Sequence, residues 1–227
     1  MKKWDIESRE LVGSRHKEKG LLCQDGTACQ MAEGRLAVAL VDATGKTDTS
    51  SKNSRGMAQL LSHFLLEHYE DIRHSDEEDI SYNLMCRIEK EILEKSQEYG
   101  LDKQEFASTL LGLVIDTSSE AYYMIHLGDG LIAVQDEKEN IYQLSEPENG
   151  RKLKETILST SEIALKHLRI CHGHLNKIRQ FILVSDGIYT GYYDMEKIEE
   201  IFRNENPHDI LKESDDDQAY IKIAISE

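Results

Sequence analysis

Aspartates recur in this sequence where apolar strands run out. Asp42 follows LAVALV, Asp129 follows YYMIHLG, Asp186 follows FILVS, and Asp216 and Asp217 precede QAYIKIAI. Strand ends allow a rigid scaffold to aim side chains into one cleft. Carboxylates gathered there repel one another and raise each other's pKa unless cations lie between them. All-oxygen donor sets suit Mg²⁺, Mn²⁺ or Ca²⁺ rather than zinc or copper. The pattern predicts a carboxylate-held metal centre, and phosphoester hydrolysis is the chemistry that suits it.

Those aspartates need strands to carry them. Short strands are expected from Trp4 to Gly13 and from Gly26 to Gln30, on either side of a basic loop, SRHKEKG. Arg35 to Val41 is a near-continuous apolar strand, as a strand covered on both faces requires. The period then changes: Met57, Leu60, Leu61, Phe64, Leu65 and Tyr69 fall at helical spacing, with Ser50, Ser51, Asn53 or Ser54 as N-cap. A second helix is expected from about Ser81 to Tyr99, with Gly100 as its C-cap. From Ser108 the chain returns to strands: STLLGLVID, AYYMIHL, GLIAVQ, NIYQLS, LKHLRICH and KIRQFILVS. A helix of about Met195 to Arg203 precedes the last strand. Two early helices, many meandering strands and no strict βαβ alternation give an α+β class with antiparallel sheets. Two such sheets stacked face to face, with helices outside, satisfy the pattern.

Composition narrows the options. The 227 residues are 39% hydrophobic and 31% charged, with two prolines and no Gly/Ser-rich linker, so one domain over 1–227 is the simplest organisation. A formal charge of −16 argues against nucleic acid or an anionic membrane as partner. It would also repel a phosphorylated substrate at long range, so local cations must offset that field. No apolar run approaches the length of a membrane span, and MKKWDIESRE lacks the apolar stretch of a signal peptide. Cys23, Cys29, Cys86 and Cys171 show no metal-ligand spacing and read as reduced, buried thiols of a cytoplasmic protein, with a monomer favoured.

Single motifs are ambiguous. VDATGKT resembles a phosphate-binding loop, but the first glycine of that loop, separated from Gly45 by four residues, would fall at Leu40, and Asp42 would project negative charge into the cradle. Asp129-Gly130 alone is a hairpin-turn signal. Cys171-His172-Gly173-His174 sits at a strand end and is a weak metal candidate. His126, inside an apolar strand, reads as a satisfied core histidine. Tyr189, Tyr192 and Tyr193 are expected to pack an irregular segment after Asp186, which is short enough to leave the site open.

Taken in order, five motifs are specific. Cys23-Gln24-Asp25, VALVDATG, HLGDG, LVSDGI and DDDQAYIKI, with ENGRKLKETILSTS between, resemble the metal-dependent PP2C-type (PPM) protein serine/threonine phosphatases, bacterial subgroup. The resemblance spans nearly the whole chain and implies a four-layer αββα sandwich. It also implies two Mg²⁺ or Mn²⁺ ions, with Asp42 bridging them and Asp186 and Asp216 completing the shell of the first. The Ala43 carbonyl, with the region of Gln24 and Asp25, would hold the second directly or through water, so that Asp42 and Asp25 carry the catalytic role. Asp129 would support a third, weaker ion. The implied activity is hydrolysis of phosphoserine or phosphothreonine in a protein substrate by a metal-activated water, without a covalent intermediate.

Four positions depart from the family pattern. Gln24 stands where many members have Glu, Ala43 replaces a glycine, and Ala219 replaces a terminal threonine. The position of the phosphate-gripping arginine is Gly20, leaving Arg15, Lys17 or Lys19 on the same loop as substitutes. The alternative is therefore a weakly active or inactive member of this fold that binds a phosphorylated or signalling partner.

Overall fold

The computed structural model describes residues 3–44, 48–148, 156–188, 195–203, 211 and 214–226. Within them, ten strands form two antiparallel sheets. One runs in the order β1 (Lys3–Leu11), β10 (Gln218–Ser226), β9 (Ile178–Val184), β6 (Leu131–Asp136), β7 (Ile141–Ser145). The other runs β2 (Asp25–Ala32), β3 (Arg35–Asp42), β4 (Leu110–Asp116), β5 (Ala121–Leu127), β8 (Arg169–His174). Helices α2 (Asp48–Glu67), α3 (Tyr69–His74) and α4 (Glu77–Tyr99) cover the second sheet, and α6 (Met195–Arg203) covers the first. The expected α+β sandwich with flanking helices is the fold.

The period of two along β3 builds two cores at once. Leu36, Val38 and Leu40 point between the sheets, against Leu113, Phe181, Leu183 and Ile221. Ala37, Ala39 and Val41 point the other way, against Met57, Leu61 and Phe64 of α2 and Ile88 of α4. Every residue from Leu36 to Val41 has 0% exposure, which explains the unbroken apolar run. Small residues face the helix because α2 lies close: a Cβ on Gly26 would fall 2.5 Å from the Arg55 amide nitrogen. A third core joins Ile198, Ile201 and Phe202 of α6 to Ile182, Val184 and Tyr220. Side chains of this size contribute about 1.5–3 kcal/mol each when fully removed from water, so the strand framework is rigid where the aspartates emerge.

Several local expectations are corrected. The first helix begins at Asp48, ahead of Ser50, Ser51, Asn53 and Ser54, which are buried within its opening turns; Asn53 Nδ2 donates to the Phe106 carbonyl at 3.2 Å. Buried Tyr69 meets Tyr123 edge-on at 5.6 Å, so the chain turns at His68 into the separate α3. Helix α4 starts at Glu77 rather than Ser81, its first turn carrying Glu77, Glu78 and Asp79, the charge the positive helix end favours. Gly100 ends it as expected, at φ 64°. The first three residues of LKHLRICH belong to a helical turn, α5 (Ala164–His167), and CHGH lies on the edge strand β8. Of the cysteines only Cys23 is buried. Cys29, Cys86 and Cys171 are exposed: Cys29 and Cys171 lie on the two outermost strands of their sheet, and Cys86 on the outer face of α4. The loop glycine and lysine of VDATGKT, and the three tyrosines after Asp186, lie outside the described residues.

Asp129-Gly130 is not a hairpin turn. β5 and β6 belong to different sheets, so Gly128-Asp129-Gly130 carries the chain across the sandwich. Gly128 makes that crossing at φ 103°, in a region that side-chain-bearing residues avoid.

Candidate metal centre

Strand register brings the aspartates to one end of the sandwich. β2 begins at Asp25 and β3 ends at Asp42, and these two residues face each other in the ladder. In the opposite sheet Leu131, Val184 and Tyr220 form one row, so the segments that hold Asp129, Asp186 and Asp217 converge just beyond it. A cleft of about 360 Å³ opens there, lined by Asp42, Asp129, Asp186, Asp216 and Asp217, with Gln24, Ala43 and His16 among its other walls. Among the described residues, no lysine or arginine lines it.

Each carboxylate is placed by its own local bonds. The Asp42 amide donates to Thr109 Oγ1 at 3.1 Å, and the Thr109 amide returns a bond to the Asp42 carbonyl at 2.8 Å. Ala43 donates its amide to the Gln24 carbonyl at 3.2 Å and is not among the positive-φ residues, so its methyl is accommodated. Asp25 lies behind the cleft wall, 1% exposed, and accepts from Ser185 Oγ at 2.7 Å. Ser185 Oγ also accepts from the Ala219 amide at 2.9 Å, tying β9, β10 and Asp25 together. Asp129 accepts a short bond from Thr156 Oγ1.

The Asp216–Asp217 pair divides its work. Asp217 is 4% exposed; one oxygen accepts from the Gly13 amide at 2.7 Å and the other from the Gln24 amide. His16 Nδ1 lies 2.9 Å from that second oxygen. Asp217 therefore holds the N-terminal segment as a cleft wall, and the exposed Asp216 is left to face the cavity. This packing is tight: a Cβ on Gly187 would stand 1.8 Å from the Asp217 carbonyl oxygen. Gly187→Ala should lower stability by about 1–3 kcal/mol, read as a fall in the urea midpoint, because backbone on both sides must move.

Gathering these groups raises their pKa values. Removal from water is the largest influence on Asp42, and the charges of Asp25, Asp186 and Asp129 push in the same direction. Burial likewise raises Asp25, opposed by the Ser185 bond and reinforced by Asp217 and Asp186. Asp186 is raised by burial and then by Asp129 and Asp216, and Asp129 by burial against the Thr156 bond. Asp25 faces Asp42 across the ladder, and its charge is the largest electrostatic contribution to the rise at Asp42 after burial.

The sequence-derived residues Asp25, Asp42, Ala43, Gln24, Asp129, Asp186 and Asp216 thus meet at one place. Arg15, Lys17 and Lys19 do not line the cleft: all three are exposed, and Arg15 pairs with Asp215 at 3.4 Å. His16 lines it instead, because the basic loop coils into α1 (Ser14–Lys17) and turns alternate side chains apart. Ser185 and Thr109 were not legible as site residues beforehand; the Ser of LVSDGI was the available signal for the first. Among the described residues, no three His, Cys, Asp or Glu side chains stand as a ready-made metal site. Their donor chemistry fits a hard divalent cation all the same. Carboxylate and carbonyl oxygens converge where mutual repulsion is uncompensated by any lining lysine or arginine among the described residues.

Comparison with known proteins agrees with this architecture. No curated protein matches the chain in sequence. A bacterial serine phosphatase structure is 14% identical, with a TM-score of 0.69, covering 99% of this chain and 98% of that one. Serine/threonine phosphatase Stp1 from Staphylococcus aureus is 14% identical at TM-score 0.68, covering 99% and 96%. RsbX in complex with magnesium is also 14% identical, at TM-score 0.60, covering 98% and 96%. At this identity the likeness is one of fold. The family model for protein phosphatase 2C matches residues 12–217, nearly the full span from the N-terminal wall of the cleft to Asp217, and the chain belongs to that family.

Proposed function

We propose that this chain is a Mg²⁺- or Mn²⁺-dependent phosphoprotein phosphatase acting on phosphoserine or phosphothreonine. The observation that carries the reading is the convergence of Asp42, Asp129, Asp186 and Asp216 on one cleft, backed by buried Asp25 and lined by no lysine or arginine among the described residues. Asp42, Asp186 and Asp216, with the Ala43 carbonyl, Gln24 and Asp25, would hold these ions. Asp129 would hold a further, weaker one. Divalent ions bound there would activate a water for attack on phosphorus and neutralise charge on the phosphoryl oxygens. The chain's own part is to hold the ligands in place: Thr109 fixes the Asp42 backbone, Ser185 fixes Asp25, and Asp217 fixes the wall that carries Gln24.

Family membership and the phosphatase neighbours in fold support this reading. The protein substrate and a cytoplasmic setting belong to the same proposal; among the described residues no helix is long and apolar enough to cross a membrane. The test is release of inorganic phosphate from phosphothreonine peptides by the purified chain, with Mn²⁺ or Mg²⁺ against chelator. Release with either ion and none in chelator is expected. No release with either ion across several peptides would overturn the enzyme reading in favour of a partner-binding protein. Arg15, engaged with Asp215 outside the cleft, is the feature consistent with that outcome.

A further inference from the structure

His126 is fully buried, at 0% exposure, three residues before Asp129. Both ring nitrogens are engaged. Nε2 lies 3.1 Å from the Gly128 carbonyl oxygen and Nδ1 lies 2.6 Å from Ser145 Oγ. A carbonyl can only accept, so Nε2 carries the proton and Nδ1 accepts from the serine hydroxyl. The Gly128 carbonyl receives a second bond, from the Glu148 amide at 2.8 Å. The peptide leading into Asp129 is therefore held from two directions while Gly128 sits at φ 103°.

On its other side, Gly128 is pressed against a residue already tied to Asp42. A Cβ on Gly128 would fall 2.6 Å from Thr109 Cγ2, and Thr109 exchanges two hydrogen bonds with the Asp42 backbone. His126, Gly128, Thr109 and Asp42 thus form one connected chain of contacts. It runs along one end of a single sheet, from β5 past the residue ahead of β4 to the end of β3, and links the Asp42 backbone to the peptide that leads into Asp129.

We propose that His126 is a positioning residue for Asp129: its Nε2–H bond to Gly128 sets where the Asp129 carboxylate stands relative to Asp42, and so tunes the weak ion that Asp129 holds. The inference rests on the metal-dependent reading above. Supporting bonds of this kind typically alter metal affinity by about tenfold to a hundredfold when removed.

The test compares His126→Gln with His126→Asn. The Gln amide nitrogen reaches about as far as Nε2 and can donate to the Gly128 carbonyl. The Asn amide is shorter, can meet Ser145, and falls short of Gly128. Mn²⁺ binding is followed by electron paramagnetic resonance of the free ion, beside the urea midpoint and the Mn²⁺ dependence of phosphate release. The expected result is that His126→Asn weakens the weakest class of bound Mn²⁺ by about tenfold or more and leaves the tighter classes unchanged. His126→Gln should stay close to wild type in Mn²⁺ binding although both variants lose midpoint to a similar degree.

Equal Mn²⁺ binding by wild type and both variants would overturn the proposal, as would equal weakening of every class or a loss that tracks the urea midpoint. A wild-type chain that binds no Mn²⁺ would overturn the metal-dependent reading itself, a distinct outcome. Should neither variant fold, Ser145→Ala serves in their place. It removes the hydroxyl that orients the ring and lies outside the cleft lining. Selective loss of the weak class supports the proposal, and unchanged binding overturns it.

Discussion

Asp42→Asn should release phosphate from a phosphothreonine peptide at least about a thousandfold more slowly than the wild-type chain at saturating Mn²⁺, a loss of about 4 kcal/mol of transition-state stabilisation. The substitution is nearly isosteric and leaves the backbone bonds to Thr109 intact, so the fold should survive it. What it removes is the charge at the centre of the cleft, the one carboxylate influenced by Asp25, Asp186 and Asp129 together. An amide has one acceptor oxygen and cannot serve two cations at once. The measurement is phosphate release by both proteins over a range of Mn²⁺ concentrations. Variant activity within tenfold of wild type would remove Asp42 from the bridging role.

Asp25→Asn should invert the stability ranking according to whether metal is present. In chelator the wild-type chain holds raised carboxyl pKa values at Asp25, Asp42, Asp129 and Asp186, from burial first and then mutual repulsion. A carboxyl whose folded pKa exceeds its unfolded value binds more protons when folded. Its favourable contribution is therefore present at low pH and is lost as pH rises from about 4 toward neutrality.

At pH 7.5 and above, chelated Asp25→Asn should exceed wild type by about 1–2 kcal/mol, or about 3–6 °C in Tm. The amide oxygen can still accept from Ser185, and the amide nitrogen can donate to Asp42. With Mn²⁺ the order should reverse, because the wild type gains a bound cation that the variant holds poorly. Thermal unfolding at pH 5 and pH 8, each with and without Mn²⁺, reads both effects. A chelated variant less stable than wild type at pH 8 would show that repulsion is not the dominant influence there.

The pattern of apolar residues was enough to place most elements. LAVALV marked β3 because both faces of that strand are covered, and the helical spacing of Met57 to Tyr69 marked α2. It was not enough where tertiary contacts overrode local signals. Asp129-Gly130 has hairpin chemistry, yet its flanking strands pair in different sheets, a choice made by partners far along the chain. His68 interrupts a continuous helical pattern because Tyr69 packs on Tyr123. LKHLRICH reads as a strand, and its first three residues coil instead with Ala164, which is buried in the core beneath α2 and α4.

The same division holds for the candidate centre. Sequence by itself determined the family, the sandwich class and which aspartates end strands, since all three rest on residue type and order along the chain. Tertiary structure alone decided what those residues face. It set Asp25 opposite Asp42 and gave Asp217 to the N-terminal wall while Asp216 faces the cavity. It also turned Arg15 toward Asp215 while His16 lines the cleft. The physical reason is that strand ends are written in local periodicity, whereas hydrogen-bond partners and side-chain direction depend on register between strands distant in sequence and on the coiling of one short loop.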